Sequence, residues 1–242
     1  MPETLVLLHG FGGTRRAWDG VCDQIERERY RPLALDLPGH GRMAGCGRPI
    51  TFDACVQHVL AAAPERFVLC GYSLGGRVAL HVALAAPERV LALALVSCSP
   101  GIEDPGERAA RLARDDALAD ELESASFEAW IERWRSQPVF AGEPEPVRRR
   151  AGEDQRRNDP LALAAALRGL SVGAMAPLWG RLPELSMPTS VIVGERDAKF
   201  RALGERTARE VPGSAYVVIS GGHGLPLESP AELARALERL HP

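Results

Sequence analysis

The 242-residue chain is predicted to fold as one α/β domain built on a mostly parallel sheet. Three observations predict this class. Short apolar runs alternate with helical patterns, which is typical of a parallel sheet with helices on both faces. A G-x-S-x-G sequence stands between the third apolar run and the helix that follows it. A charged stretch of about 80 residues interrupts the alternation, too long for a single crossover helix.

Six short apolar runs are the predicted strands. Leucine and β-branched residues fill them without polar alternation, as in strands buried on both faces. The runs cover residues 5–8, 32–35, 67–70, 91–96, 190–193 and 216–219. Helical patterns lie between or after them, at residues 17–28, 51–62, 75–86, 202–211 and 231–240. The chain starts directly at the first of these runs, so we expect a minimal sheet of about six strands without preceding antiparallel strands.

The strand-free stretch is predicted to form a helical cap inserted after the fourth strand. Its helical patterns cover residues 108–122, 127–135, 145–157 and 161–170. We place the cap at residues 100–178, and the core at residues 1–99 and 179–242. The alternative is a run of ordinary surface helices.

Composition excludes several classes of protein. The net charge of −3, with 45% apolar and 25% charged residues, is typical of a globular enzyme and predicts neither a nucleic-acid nor a membrane partner. The five cysteines form no C-x-x-C pair, and no cluster of ligand residues predicts a metal or organic cofactor. The first residues resemble no signal peptide, and no apolar run could span a bilayer, so we expect a cytoplasmic protein.

The G-x-S-x-G motif carries the predicted chemistry. It reads Gly71-Tyr72-Ser73-Leu74-Gly75, directly after the third predicted strand and before a helix. In a nucleophile elbow, this strand–turn–helix context projects the serine beyond the end of the sheet, and the sharp turn requires the flanking glycines. Ser73 is therefore the predicted reactive residue. The alternative is a tight turn that happens to contain serine.

A serine needs a base to accept its proton, and the base needs an acid to orient it. The histidines are His9, His40, His58, His81, His223 and His241. His223 follows the last predicted strand within a glycine-rich loop, the usual position for this base. Asp197 follows the fifth strand, which gives the order Ser–Asp–His expected of this motif. Glu195 is the alternative acid, and Asp197 could instead be a helix N-cap.

The glycine-rich loop after the first strand is predicted to stabilise an oxyanion. It reads His9-Gly10-Phe11-Gly12-Gly13. In proteins with the elbow motif, one oxyanion-hole N–H comes from this loop, and we assign it to Phe11. The second comes from the residue after the serine, Leu74. The alternative role of the glycines is turn formation alone.

Four segments carry a more specific resemblance. They read Gly-Tyr-Ser-Leu-Gly-Gly-Arg at 71–77, Trp-Arg-Ser-Gln-Pro-Val-Phe at 134–140, Leu-Arg-Gly-Leu-Ser at 167–171 and Gly-Glu-Arg-Asp-Ala-Lys-Phe at 194–200. The chain resembles the α/β-hydrolase superfamily over its whole length. Within it, the segments resemble the 2-succinyl-6-hydroxy-2,4-cyclohexadiene-1-carboxylate (SHCHC) synthases of menaquinone biosynthesis.

The resemblance implies an elimination of pyruvate from an enolpyruvyl polycarboxylate, with Ser73 as the proton acceptor. A polyanion in a closed site needs cations, since unpaired buried charge is costly. The implied substrate contacts are carboxylate-binding arginines and aromatic wall residues: Arg77, Arg111, Arg157, Tyr72, Trp134 and Phe140. Arg108 and Arg156 are the alternatives to Arg111 and Arg157. Each cap arginine could instead lie on a solvated helix face.

One segment departs from the family pattern. The family commonly reads Gly-His-Asn-Ala-His after the last strand, whereas this chain reads Gly222-His223-Gly224-Leu225-Pro226 and lacks the second histidine. Two other functions therefore stay open: a serine hydrolase of small carboxylate-bearing esters or carbon–carbon bonds, and a ligand-binding receptor with a hydrolase pocket. A dehalogenase is disfavoured, because that chemistry needs aspartate at the position of Ser73.

Overall fold

The computed structural model describes residues 1–240 and confirms the predicted fold class. A six-stranded sheet has the order β2-β1-β3-β4-β5-β6, and each neighbouring pair of strands is parallel. The strands are β1 (Glu3–Leu8), β2 (Tyr30–Leu35), β3 (Phe67–Tyr72), β4 (Val90–Val96), β5 (Thr189–Gly194) and β6 (Ala215–Ile219).

Helices connect the strands and cover both faces of the sheet. They are α1 (Asp19–Gln24), α2 (Phe52–Ala62), α3 (Leu74–Ala85), α4 (Pro105–Ser124), α5 (Phe127–Arg135), α6 (Glu145–Gln155), α7 (Pro160–Gly169), α8 (Ala198–Glu210), α9 (Leu225–Glu228) and α10 (Pro230–Glu238). The first helix is shorter than the pattern at 17–28 predicts. Ile25 leaves the helical conformation, and the next N–H, of Glu26, donates to the Glu238 carboxylate at 2.9 Å instead of continuing the helix.

The central strands are buried on both faces, as the continuous apolar runs predict, whereas Tyr216 and Val218 on the edge strand β6 are exposed. Along β1, Val6 and Leu8 join the cluster that packs against α2 and α3, whereas Leu5 and Leu7 join the cluster that packs against α1 and α10. Side chains alternate between the two faces of a strand, so a strand with a helix layer on each side needs apolar residues at every position.

Helices α4 to α7 lie between β4 and β5 in the chain and have a small apolar core of their own. Trp130 and Leu163 are among its buried residues, and Phe11 from the loop after β1 packs against it. The cap thus meets the sheet domain at the predicted oxyanion loop. Within the described chain, no helix is both long and apolar enough to cross a membrane.

Candidate active site

Ser73 lies on a strained turn between β3 and α3. Its φ is 51° and its ψ is −107°, a conformation that residues with a side chain rarely adopt, and its N–H donates to Val96 at 2.9 Å. A Cβ at Gly71 would lie 2.2 Å from the Gly75 carbonyl oxygen, and a Cβ at Gly75 would lie 2.2 Å from that of Leu8. Glycine is therefore required on both sides of the serine, which explains the motif sterically.

Ser73, His223 and Asp197 form one hydrogen-bonded chain. His223 Nε2 lies 3.2 Å from the Ser73 hydroxyl, and His223 Nδ1 lies 2.7 Å from Asp197 Oδ2. The Asp197 carboxylate can only accept at neutral pH, so Nδ1 carries the proton and Nε2 is free to accept from the serine. The side chains of His223 and Asp197 are each only 5% exposed, so the hydrogen bond between them is largely shielded from water.

The loops after β5 and β6 bring the acid and the histidine together. The Glu195 N–H donates to Ile219 at 2.8 Å and the Arg196 N–H donates to Gly221 at 2.9 Å, so the loops run side by side. The side chain of Asp197 then turns inward while Glu195 is exposed. Asp197 is also the N-cap of α8, because its Oδ1 accepts from the Phe200 N–H at 3.3 Å. The two readings of Asp197 from the sequence are therefore compatible.

The predicted oxyanion donors face no acceptor within residues 1–240. Neither the Phe11 N–H nor the Leu74 N–H forms a hydrogen bond to another described residue. His9 holds the loop in place: its Nδ1 donates to Gly10 at 2.8 Å, and its Nε2 accepts from the Leu37 N–H at 3.0 Å. Two N–H groups without a partner among the described residues, beside the predicted reactive serine, are consistent with the predicted oxyanion hole.

The other described histidines do not reach the serine. Burial lowers the pKa of His9, and burial together with the neighbouring His9 lowers the pKa of His40 to about 3, so both rings are neutral and structural. His58 and His81 bond to backbone carbonyl oxygens at 3.0 and 2.8 Å. His241 lies outside the described residues.

A cavity of about 540 Å³ opens above Ser73 and His223, between the core and the cap. The predicted contacts that line it are Phe11, Tyr72, Arg77, Arg111, Trp134 and Phe140. A cavity of this size suits a small metabolite. In the part of the chain described, no group of three or more histidine, cysteine, aspartate or glutamate side chains could hold a metal ion.

Arg77 and Arg111 form the cationic part of the cavity wall near α7. Arg77 Nη1 donates to the Leu170 carbonyl oxygen at 3.1 Å, and Arg111 Nε lies 2.9 Å from both oxygens of Asp115. Burial and, to a smaller extent, the Arg111 charge lower the pKa of Arg77 to about 10, and Asp115 opposes this. Arg77 therefore stays charged at neutral pH, and it forms no ion pair with a carboxylate of residues 1–240.

The expectation for Arg157 needs correction. Its side chain is half exposed, lies 3.9 Å from Asp154, and does not line the cavity. Arg156 faces outward as well and pairs with Glu128 at 2.7 Å. Helix α6 ends at Gln155, and Asp154 and Gln155 line the cavity instead of the two arginines.

Sequence reasoning missed a buried ion pair in the cavity wall. Arg135 follows Trp134 at the end of α5, and its Nη2 donates to the Glu143 carboxylate. The side chains are 8% and 4% exposed, and both residues line the cavity. The signal was present: Arg135 is four residues after the buried Ile131 and therefore shares its helix face.

The ion pair also lies close to Gly224, the residue after His223. A Cβ at Gly224 would lie 3.0 Å from Glu143 Oε1 and 3.3 Å from Glu228 Oε1. The space that a side chain would occupy here is already filled by carboxylates. Pro226, at the place of the family's second histidine, lines the cavity without a titratable group.

A parallel sheet, a strained serine on an elbow, and a histidine and an aspartate on the loops after the last two strands define an α/β-hydrolase-fold protein. The chain matches the α/β hydrolase family over residues 5–236.

Relatives of known name indicate one family within the α/β hydrolases. The chain is 34% identical to the SHCHC synthase of Salmonella newport, over 98% of this chain and 93% of that protein. It is 32% identical to a putative SHCHC synthase of Bacillus subtilis, over 94% and 86%. The solved structure of MenH from S. aureus has a TM-score of 0.91 and 30% identity, covering 98% of this chain and 92% of that one. The chain belongs to the SHCHC synthase family of α/β hydrolases.

Proposed function

We propose that this protein eliminates pyruvate from 2-succinyl-5-enolpyruvyl-6-hydroxy-3-cyclohexene-1-carboxylate and forms SHCHC. The observation that carries the proposal is a serine base unit placed one helical turn from an arginine without a carboxylate partner, Arg77, inside a cavity of metabolite size. The names of relatives that are 32% to 34% identical over nearly the whole chain support the same reaction. We expect it to take place in the cytoplasm.

The proposed first step is proton abstraction. His223 takes the hydroxyl proton of Ser73, and the serine oxygen removes a proton from the ring carbon next to the succinyl ketone. The C–H electron pair moves into an enolate, whose oxygen carries the new negative charge. Asp197, at 2.7 Å from His223, stabilises the imidazolium that forms.

The second step expels pyruvate. The enolate electrons form a ring double bond between C2 and C3, the existing double bond shifts from C3–C4 to C4–C5, and the bond from C5 to the enolpyruvyl oxygen breaks. The departing enolate of pyruvate takes the proton from His223, which returns the histidine to its neutral form. No water enters either step, and no acyl-enzyme forms.

The cavity supplies the charges that these steps need. The N–H groups of Phe11 and Leu74 stabilise the enolate oxygen, and Arg77 and Arg111 bind substrate carboxylates. An arginine without an internal carboxylate can form bidentate, charge-assisted hydrogen bonds to the substrate. Trp134 and Phe140 shape the apolar part of the wall.

The deciding experiment measures pyruvate release from the enolpyruvyl substrate in a coupled assay. We expect turnover by the wild-type protein and a loss of at least about a thousandfold in Ser73→Ala, because the serine carries the proton from carbon. Turnover no greater than that of Ser73→Ala would reject the lyase.

Two alternatives are tested with the same protein. A serine hydrolase would cleave a panel of p-nitrophenyl esters rapidly, would accumulate an acyl-enzyme visible by mass spectrometry, and would not depend on Arg77. A ligand-binding receptor would bind the enolpyruvyl substrate equally well after Ser73→Ala and form no product. The cationic wall favours the lyase over both.

A further inference from the structure

The Arg135–Glu143 ion pair has no part in the proposed elimination, yet it forms part of the wall of the same cavity. Arg135 is the last residue of α5, and Glu143 lies in the loop before α6. Buried charged side chains are costly, and replacing such a pair with apolar residues is often neutral or stabilising. A pair at this position therefore calls for an explanation beyond stability.

The Arg135 guanidinium keeps unused donors. Within residues 1–240 its one hydrogen-bond acceptor is Glu143, bound through Nη2, and its Nε is shielded from solvent without a partner. The guanidinium carbon lies over the Phe140 ring, 4.0 Å from its centre. Arginine has five N–H donors in a planar fork, so one carboxylate does not satisfy it.

Arg135 and Arg77 lie at different parts of the cavity wall. Arg77 bonds to the Leu170 carbonyl oxygen, whereas Arg135 packs on Phe140 and pairs with Glu143. Burial lowers the pKa of Arg135 to about 10, so it too stays charged at neutral pH. The cavity therefore presents cations at two places, as a substrate with carboxylates at two ends requires.

We propose that Arg135 is a second carboxylate-binding residue for the substrate, and that Glu143 competes with the substrate for it. This inference rests on the proposed polycarboxylate substrate. In the free protein, Glu143 compensates the buried Arg135 charge. In the complex, the unused donors of Arg135 bind a substrate carboxylate, and Glu143 weakens that binding by like-charge repulsion.

The competition gives the two halves of the pair opposite effects. Arg135→Met removes the cation that attracts the substrate, so KM should rise about tenfold or more. Glu143→Gln removes the repelling charge and frees the cation, so KM should fall at least about threefold. A pair with only a structural role would change KM in the same direction in both variants, or in neither.

The experiment measures KM and kcat for pyruvate release in these two variants and in Arg133→Met. Arg133 is the matched control, because it lies on the same helix and pairs with a glutamate, Glu121, on the outer surface at 3.0 Å. Its KM should stay within about twofold of the wild-type value. Should Arg135→Met fail to fold, Arg135→Met with Glu143→Leu replaces the whole pair by apolar residues. A rise in KM above the wild-type value is still expected, smaller than in Arg135→Met because the repelling carboxylate is removed as well.

A binding measurement separates this inference from the proposed reaction. The probe is 2-(3-carboxypropanoyl)benzoate, an unreactive aromatic dicarboxylate, titrated calorimetrically into the unmodified protein and the variants. Weaker binding after Arg135→Met and tighter binding after Glu143→Gln would support the inference even if no pyruvate is released. Normal pyruvate release with unchanged KM and probe affinity in both variants would overturn it and leave the proposed reaction standing.

Discussion

Asp197→Asn separates the two roles that the structure gives to one side chain. Oδ1 accepts the Phe200 N–H as the N-cap of α8, and Oδ2 accepts from His223 at 2.7 Å. Asparagine has one side-chain oxygen, so when that oxygen accepts the Phe200 N–H at the cap, the NH₂ group faces the histidine. Because asparagine and aspartate cap helices about equally well, the change removes the charge beside His223 and leaves the helix nearly intact.

The expected loss of activity follows from the distance. Two unit charges 2.7 Å apart attract by about 6 kcal/mol at an effective dielectric constant of about 20, and delocalisation over the imidazolium ring reduces this to roughly 3 kcal/mol. That energy corresponds to a factor of about 100 in rate. The NH₂ group of asparagine would also favour the wrong tautomer of His223, which raises the expected loss in kcat to about 10³–10⁴.

The assay compares kcat for pyruvate release and the thermal midpoint in Asp197→Asn and Asp197→Ala. Alanine should lose about a hundredfold in kcat, because it removes the charge without favouring the wrong tautomer, and asparagine should lose about 10³–10⁴. Alanine should cost about 1 kcal/mol more stability, or roughly 2–4 °C, because it also loses the cap. An asparagine variant that keeps more than about a tenth of the wild-type kcat would refute the role of Asp197 in orienting and stabilising the histidine.

Three further predictions concern the cavity wall and the core. Arg77→Met should lower kcat/KM about 10- to 100-fold through lost charge-assisted hydrogen bonds. In the same assay, kcat/KM of Arg157→Met should stay within about twofold of the wild-type value. Similar losses in both variants would contradict the placement of Arg77 in the cavity wall and of Arg157 outside it. Thr14→Val removes a 2.5 Å hydrogen bond to Asp154, which connects α6 to the predicted oxyanion loop. In this variant kcat should fall about tenfold with little change in KM, whereas Thr14→Ser should keep the wild-type kcat. A change in KM alone would argue against this coupling. Burial raises the pKa of Cys98 to about 12, so near pH 8 its thiol stays protonated and a disulfide reagent should label it only after denaturation. Rapid labelling of Cys98 itself in the native protein, located by peptide mass spectrometry, would contradict its burial.

The sequence predicted the sheet because burial on both faces constrains every position of a strand. Continuous apolar runs could belong to few other structures, and each of the six became a parallel strand. The serine on its elbow was equally predictable, because Gly71 and Gly75 are imposed by contacts of about 2.2 Å that no other residue tolerates. Both constraints can be read from the residue types at these positions, without knowledge of the packing of the cap.

The choice of charged groups around the cavity was decided by the tertiary structure alone. Arg135 and Arg157 are both arginines near cap helix ends, yet one is buried against Phe140 and the other is half exposed. Which face of a cap helix turns inward depends on how the cap packs on the loop after β1. The helical spacing places Arg135 on the face of Ile131, but it does not say that the end of this face reaches the cavity. The sequence therefore determined the fold and the serine on its elbow, whereas the packing of the cap selected which cations lie near that serine.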